Sequence, residues 1–267
     1  GCGDHWPLCN GYLIPIFDLP TLIEWSHRLA AGLVSLLMLA TVAVALWKYR
    51  SLAAVMRPLL VAGALLIWQM VLGAITVKMD LSPTVVALHL ATALAYFAAM
   101  LTVAVATFRP VGLRFPTAGG HDRLGSLLLT TALAVYALVI TGAFVAATGA
   151  KAVCAGWPLC NGSPFPATSL QAVHVFHRYM AGGVGVLVIV AVASVFRQRP
   201  ARRDLRPAAG ALLALMLTQI AVGAVNVLWV FPALVNGLHI ALASAVWGAS
   251  VMLAALALQG EPVPVER

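Results

Sequence analysis

Four histidines recur in register inside apolar stretches long enough to cross a membrane: His27 and His89 in the first half of the chain, His177 and His239 in the second. They belong to a block that occurs twice, 150 residues apart. The first copy reads Ile23-Glu24-Trp25-Ser26-His27-Arg28, then Gln69-Met70-Val71-Leu72-Gly73-Ala74, then His89. The second reads Val173-His174-Val175-Phe176-His177-Arg178, then Gln219-Ile220-Ala221-Val222-Gly223-Ala224, then His239. His27 to Gln69 spans 42 residues, as does His177 to Gln219, and Gln69 to His89 spans 20, as does Gln219 to His239. Neutral imidazole ligates iron well, and two imidazoles from separate helices can clamp a planar haem from opposite faces. Ionisable side chains are rare in lipid and mark function there. Two pairs in register therefore imply two pockets, each holding one haem.

The neighbours fit such pockets. Arg28 and Arg178 directly follow His27 and His177. An arginine inside an apolar span needs an anion, and the two propionates of a haem suit its fork of donors. Small residues follow at Ala30-Ala31-Gly32 and Ala181-Gly182-Gly183, where they let a helix approach a flat ring or another helix. Gln69 and Gln219 are read as hydrogen-bonding between helices in preference to contacting haem. The halves differ at Glu24, which stands opposite His174. Of eight acidic residues only Glu24 falls within a span, three residues before His27 and so on the same helix face. A pair with Arg28 at i,i+4 is the plain reading of that carboxylate. Its absence from the other half favours a catalytic one, as proton acceptor or stabiliser of developing positive charge. One pocket is then reactive and the other only holds its haem.

The elements that position these residues follow from composition. With 62% hydrophobic and 9% charged residues, the chain is no ordinary soluble domain. Seven segments are long enough to span a bilayer as helices: 21–47, 58–77, 84–108, 123–148, 168–196, 207–229 and 234–258. They lack the alternation of barrel strands. The net charge of +8 sorts by side: twelve Lys and Arg lie in alternate loops and the tail, against Lys78 and Lys151 in the opposite loops. This positive-inside pattern places the N-terminus outside and the tail in the cytoplasm, and it accounts for the basic excess without nucleic acid.

All four cysteines, Cys2, Cys9, Cys154 and Cys160, fall on the outward, oxidising side. Their loops also repeat, as Trp6-Pro7-Leu8-Cys9-Asn10-Gly11 and Trp157-Pro158-Leu159-Cys160-Asn161-Gly162. Cys2–Cys9 and Cys154–Cys160 read as one disulfide clip per loop, in preference to a redox-active pair. Neither spacing is that of a zinc site.

The expected architecture is all-α and integral to the membrane, with two tandem four-helix-bundle repeats related by a pseudo-two-fold axis along the membrane normal. Residues 1–108 form the N-terminal half, 109–122 a cytoplasmic linker, 123–258 the C-terminal half and 259–267 a cytoplasmic tail. A helix precedes the second cysteine loop, so the repeat predicts one before the first as well, making eight spans where seven are visible.

The Glu24-x-x-His27-Arg28 motif, the two Trp-Pro-Leu-Cys-Asn-Gly loops, His89 and His239 together resemble the haem A synthase family, over nearly the whole chain. The resemblance implies a haem b cofactor in the C-terminal half, with His177 and His239 as axial ligands and Arg178 beside it. It implies substrate haem O in the N-terminal half, at His27, His89 and Arg28, with Glu24 as the catalytic carboxylate. The implied reaction oxidises a methyl group of haem O to a formyl group, by successive hydroxylations and loss of water. Haem A then goes to cytochrome oxidase. Haem O synthase, oxidase assembly factors, membrane lipid and a quinone or other electron acceptor are the expected partners, in the plasma membrane of a prokaryote. Two other readings stand beside it. A quinol-linked di-haem cytochrome b-type carrier needs the paired histidines but not Glu24. A membrane thiol oxidoreductase needs the cysteines but not the histidines.

Overall fold

The structure is a computed structural model that describes residues 1–3, 7–108, 123–198 and 202–259. The expected linker at 109–122 and the tail from 260 onward lie outside the described residues, as do Arg109, Arg114, Arg199 and Arg267. Among the described residues there are seven long helices: α1 Leu19–Lys48, α2 Ala53–Lys78, α3 Pro83–Phe108, α4 Arg123–Ala147, α5 Ser169–Arg197, α6 Arg206–Leu228 and α7 Ala233–Leu258. Each is long and apolar enough to cross a membrane. The chain is an all-α, multi-pass membrane protein.

The ends of these helices follow from local chemistry. Asp18 caps α1 by accepting the backbone N–H of Thr21 at 2.8 Å. Thr168 caps α5 by accepting that of Gln171, whose side-chain oxygen accepts the N–H of Ala167 in return. Helix α2 begins at Ala53, five residues before the expected start at 58. Pro58 sits at its sixth position, where the missing N–H removes one bond near the helix start and does not end the helix.

Helices α2 and α6 end alike. The N–H of Leu81 reaches the carbonyl of Thr76 at 3.1 Å, and that of Phe231 reaches Asn226 at 2.7 Å. This is the long bond of a Schellman motif. Asp80, Leu81, Val230 and Phe231 all take positive φ, at 48°, 59°, 57° and 58°. For β-branched Val230 that is a strained conformation.

Two compact units make up the chain, Gly1–Val103 and Ala104–Arg267. In the second, α4 packs on α5 and α7, and α6 packs on the same two helices, closing a four-helix ring. Leu128, Val135, Val188, Val195, Leu212 and Leu253 are buried almost completely. Lipid is as apolar as leucine, so close packing favours this arrangement, with no gain from leaving water. Arg202 donates to the carbonyls of Leu256 and Ala257, capping α7 with positive charge at its C-terminal end. In the first unit α1 packs on α2, and Leu29, Leu33, Leu36 and Leu37 are exposed, as suits a lipid-facing helix.

Candidate functional site

Both cysteine pairs are disulfides, Cys2–Cys9 with Cα atoms 4.3 Å apart and Cys154–Cys160 with 4.7 Å. Each closes a loop that ends in an Asn-Gly turn. Asn10 and Gly11 have φ of 50° and 81°, and Asn161 and Gly162 have 53° and 77°. Positive φ at both central positions defines the tight hairpin turn for which Asn-Gly is the preferred pair. The asparagines also staple their loops. Asn161 accepts the N–H of Ala155 at 2.8 Å and donates to the carbonyl of Val153 at 3.0 Å. Asn10 donates to the carbonyl of Gly1 at 3.3 Å.

The arginines beside the histidines bind these loops. Arg178 donates from Nη1 to the carbonyls of Gly156 and Pro158, at 3.0 and 3.2 Å, and from Nη2 to that of Cys154 at 3.5 Å. Arg28 donates to the carbonyls of Pro7 and Leu8, at 3.3 and 2.6 Å. The sequence pointed to an anion for each arginine. Arg28 has one, in Glu24 at 2.5 Å, together with the loop carbonyls. The Nη groups of Arg178 meet backbone carbonyls, and its Nε is buried without a hydrogen-bond partner. A donor aimed into such a place fits an acidic group of a bound ligand.

Glu24 is held from two sides. One oxygen accepts the backbone N–H of Cys2 at 2.8 Å, and the other takes Arg28. The plain pairing at i,i+4 is thus present, extended by a link to the disulfide loop. His174, in the same register of the second half, is buried and lies 3.1 Å by its Nδ1 from the carbonyl of Ala150. It ties α5 to a 3-10 turn at Ala150–Val153 that the sequence did not announce.

His27 and His89 come together, with ring centroids 6.3 Å apart and planes inclined at 70°. Two iron–imidazole bonds of about 2 Å, plus about 1 Å from each ligating nitrogen to its ring centre, give a separation of about 6 Å. The spacing admits one metal atom between the rings. His177 on α5 and His239 on α7 belong to the second unit. The later histidine of each pair has the same surroundings. Nε2 of His89 is 3.2 Å from the amide of Gln69, and Nε2 of His239 is 3.4 Å from that of Gln219. In both, Nδ1 of the histidine and Oε1 of the glutamine are buried without a partner. Buried polar atoms are normally satisfied, so these matched vacant valences fit pockets that take a polar or metal-bearing ligand. The described residues contain no group of three or more His, Cys, Asp or Glu able to hold a metal ion. Paired histidines alone suit a metal whose other ligands come from a macrocycle.

Glycines seat three of the rings. A Cβ on Gly142 would come within 2.9 Å of Cε1 of His177, and one on Gly223 within 2.9 Å of Cε1 of His239. The corresponding distance from Gly73 to His89 is 3.4 Å. Gly73 and Gly223 share a repeat position, a signal open to a reader of the sequence. Gly142 and Thr141, which also meets His177, carry no such signal.

Comparison with known proteins bears on the same residues. Residues 1–251 match the COX15-CtaA family, described as cytochrome oxidase assembly protein. The chain belongs to that family. It is 33% identical to the heme A synthase of Symbiobacterium thermophilum, over 97% of this chain and 86% of that protein. It is 32% identical to the heme A synthase of Shouchella clausii, over 85% and 77% of the two chains. The heme A synthase of a bovine strain of Staphylococcus aureus is 29% identical, over 85% and 76%. The family match runs through both cysteine loops and the four histidines of the repeat, His27, His89, His177 and His239.

Proposed function

We propose that this protein is a haem A synthase, a membrane oxidoreductase that oxidises a ring methyl group of haem O to the formyl group of haem A for cytochrome oxidase. Family membership supports the activity. The observation that carries the assignment of roles is the difference between the halves. The first places a carboxylate, Glu24, one helical turn from a pair of imidazoles spaced for one metal atom. The second replaces that carboxylate with His174, tied to a backbone carbonyl.

On this reading residues 1–108 receive the substrate. His27 and His89 grip the iron of haem O from its two faces, and Arg28 steadies the site from the disulfide loop. Loss of electrons from the methyl carbon builds positive charge there, and Glu24 offsets it or takes the departing proton. In residues 123–258, His177 and His239 would hold haem b, and the unpartnered Nε of Arg178 would suit a propionate. Haem b supplies one-electron redox chemistry when bound. The cysteine loops face outward, the basic loops and tail face the cytoplasm, and electrons pass to a quinone or similar acceptor. A free-standing electron carrier has no use for Glu24.

The roles are separable by haem analysis of the purified protein. His27→Ala and His89→Ala should stop haem A formation while haem b remains bound. His177→Ala and His239→Ala should lose haem b itself. Loss of haem b from the first pair of variants, with retention in the second, would reverse the assignment.

A further inference from the structure

We infer that Thr141 is a positioning residue that fixes the tautomer of His177 and thereby sets the strength of its bond to iron; the inference rests on the haem reading of the second half. The hydroxyl oxygen of Thr141 lies 2.8 Å from Nδ1 of His177 and 2.7 Å from the carbonyl oxygen of Leu138. A threonine hydroxyl has one hydrogen to give, and a carbonyl oxygen only accepts. With that hydrogen donated to Leu138, the hydroxyl oxygen accepts from His177, whose ring proton therefore sits on Nδ1. Nε2 is left with its lone pair, the form of imidazole that ligates a metal.

The next residue holds the ring in that orientation. Cε1 lies between the two ring nitrogens, and it is the atom that a Cβ on Gly142 would approach to 2.9 Å. The edge of the imidazole thus rests against the backbone of α4, with its Nδ1 beside Thr141 and its Nε2 turned away from that hydroxyl. The histidine paired with it is not oriented in this way: Nδ1 of His239 is buried without a partner and its Nε2 meets Gln219. A hydrogen bond from Nδ1–H to an oxygen raises the basicity of the other nitrogen and fixes the plane of the ligand. Thr141 accordingly strengthens the His177 bond and favours the oxidised metal.

The test uses the full chain purified with haem b bound. Thr141→Val keeps the shape of the side chain without its hydroxyl, and Thr141→Ser keeps the hydroxyl. Thr141→Val should retain a bis-imidazole absorption spectrum, shift the haem midpoint potential in the positive direction, and release haem to a scavenging apoprotein about 10- to 100-fold faster. Thr141→Ser should match the parent in both measurements. An unshifted potential and release rate in Thr141→Val, or an equal shift in Thr141→Ser, overturns the inference. His177→Ala separates the two levels. Loss of the bis-imidazole spectrum in that variant upholds the haem reading, so that an unaltered Thr141→Val then counts against Thr141 alone. Retention of the spectrum overturns the haem reading and the inference with it.

Discussion

Glu24 accepts a hydrogen bond of 2.8 Å from the backbone N–H of Cys2, so the carboxylate that sets the first half apart is held by the disulfide loop. Its second oxygen faces Arg28, which itself grips the carbonyl of Leu8 in the same loop. Loop, arginine and carboxylate form one connected unit beside His27. In the second half the loop–arginine link recurs, but His174 stands where the carboxylate would be. The loop–arginine link recurs in both halves, and an acidic side chain stands beside it in the first alone.

Glu24→Gln preserves size and can still accept from Cys2, but it removes the charge. Haem A formation should fall by about 10²- to 10⁴-fold, the usual contribution of a general acid–base group. The haem b spectrum should not change. Haem A output at the parent level would remove Glu24 from the chemistry.

The seating of the histidines can be graded. Gly142→Ala and Gly223→Ala place a methyl group 2.9 Å from a ring carbon, whereas Gly73→Ala places it at 3.4 Å. Overpacking of this kind costs about 1–3 kcal/mol. Haem b content should drop in the first two variants, whose histidines are the ones assigned to haem b, and haem A output should stay near the parent value in the third. Equal haem b content in Gly142→Ala and the parent would show that the ring has room to move.

Much of this arrangement is legible in the sequence. The seven spans at 21–47 through 234–258 match the observed helices closely, because long apolar runs in lipid admit few alternatives. The largest departure is at the start of α2, which begins at Ala53 and carries Pro58 inside its second turn. The in-register histidines and the Glu24–His174 difference are visible for the same reason that the repeat is. The Glu24 partner of Arg28 was legible at i,i+4, but the loop carbonyls that Arg28 and Arg178 grip were not, because the sequence shows an arginine in an apolar span but not which carbonyls a folded-back loop will offer. The repeated Trp-Pro-Leu-Cys-Asn-Gly motif, always upstream of a His-Arg pair, was the available hint. Thr141, Gly142 and Arg202 act through residues 36, 35 and about 55 positions away, contacts that only the packed helices create.

Asn161 has two separable duties. Asn161→Gly retains the positive φ but loses the side-chain bonds to Ala155 and Val153. Asn161→Ala loses both and adds about 1–2 kcal/mol of backbone strain. Thermal unfolding should rank the parent above the glycine variant and the glycine variant above the alanine one. An alanine variant as stable as the glycine one would show that the turn carries no conformational demand.

Removing a clip tests the loops. The residues joined by Cys154–Cys160 are six apart. Closing so short a loop restricts the unfolded chain by about 2–3 kcal/mol. The double Cys→Ser variant at 154 and 160 should therefore unfold at lower temperature than the parent under oxidising conditions. The two should converge when the parent is reduced, and a midpoint insensitive to both changes would contradict a structural role.

Asp18 gives a pH dependence with a definite sign. The hydroxyl and backbone N–H of Thr21 hold its carboxyl below the ordinary aspartate value. A folded-state pKa below the unfolded one contributes stability above the unfolded value, and that stability is lost as pH falls through the folded value. Acidification below about pH 4 should fray the start of α1, since an unperturbed aspartate titrates there. Asp18→Asn, which still caps a helix, should flatten that part of the profile in amide exchange at Thr21 and Leu22. A profile identical in parent and variant would assign the acid sensitivity to other groups.

The central claim is tested most directly by expressing the intact gene product in a cell that makes haem O but no haem A, then separating the extracted haems by chromatography. The account predicts a haem A peak that appears with the protein and disappears with Glu24→Gln. Haem O alone, from membranes shown to contain the protein with its haem b bound, would contradict it.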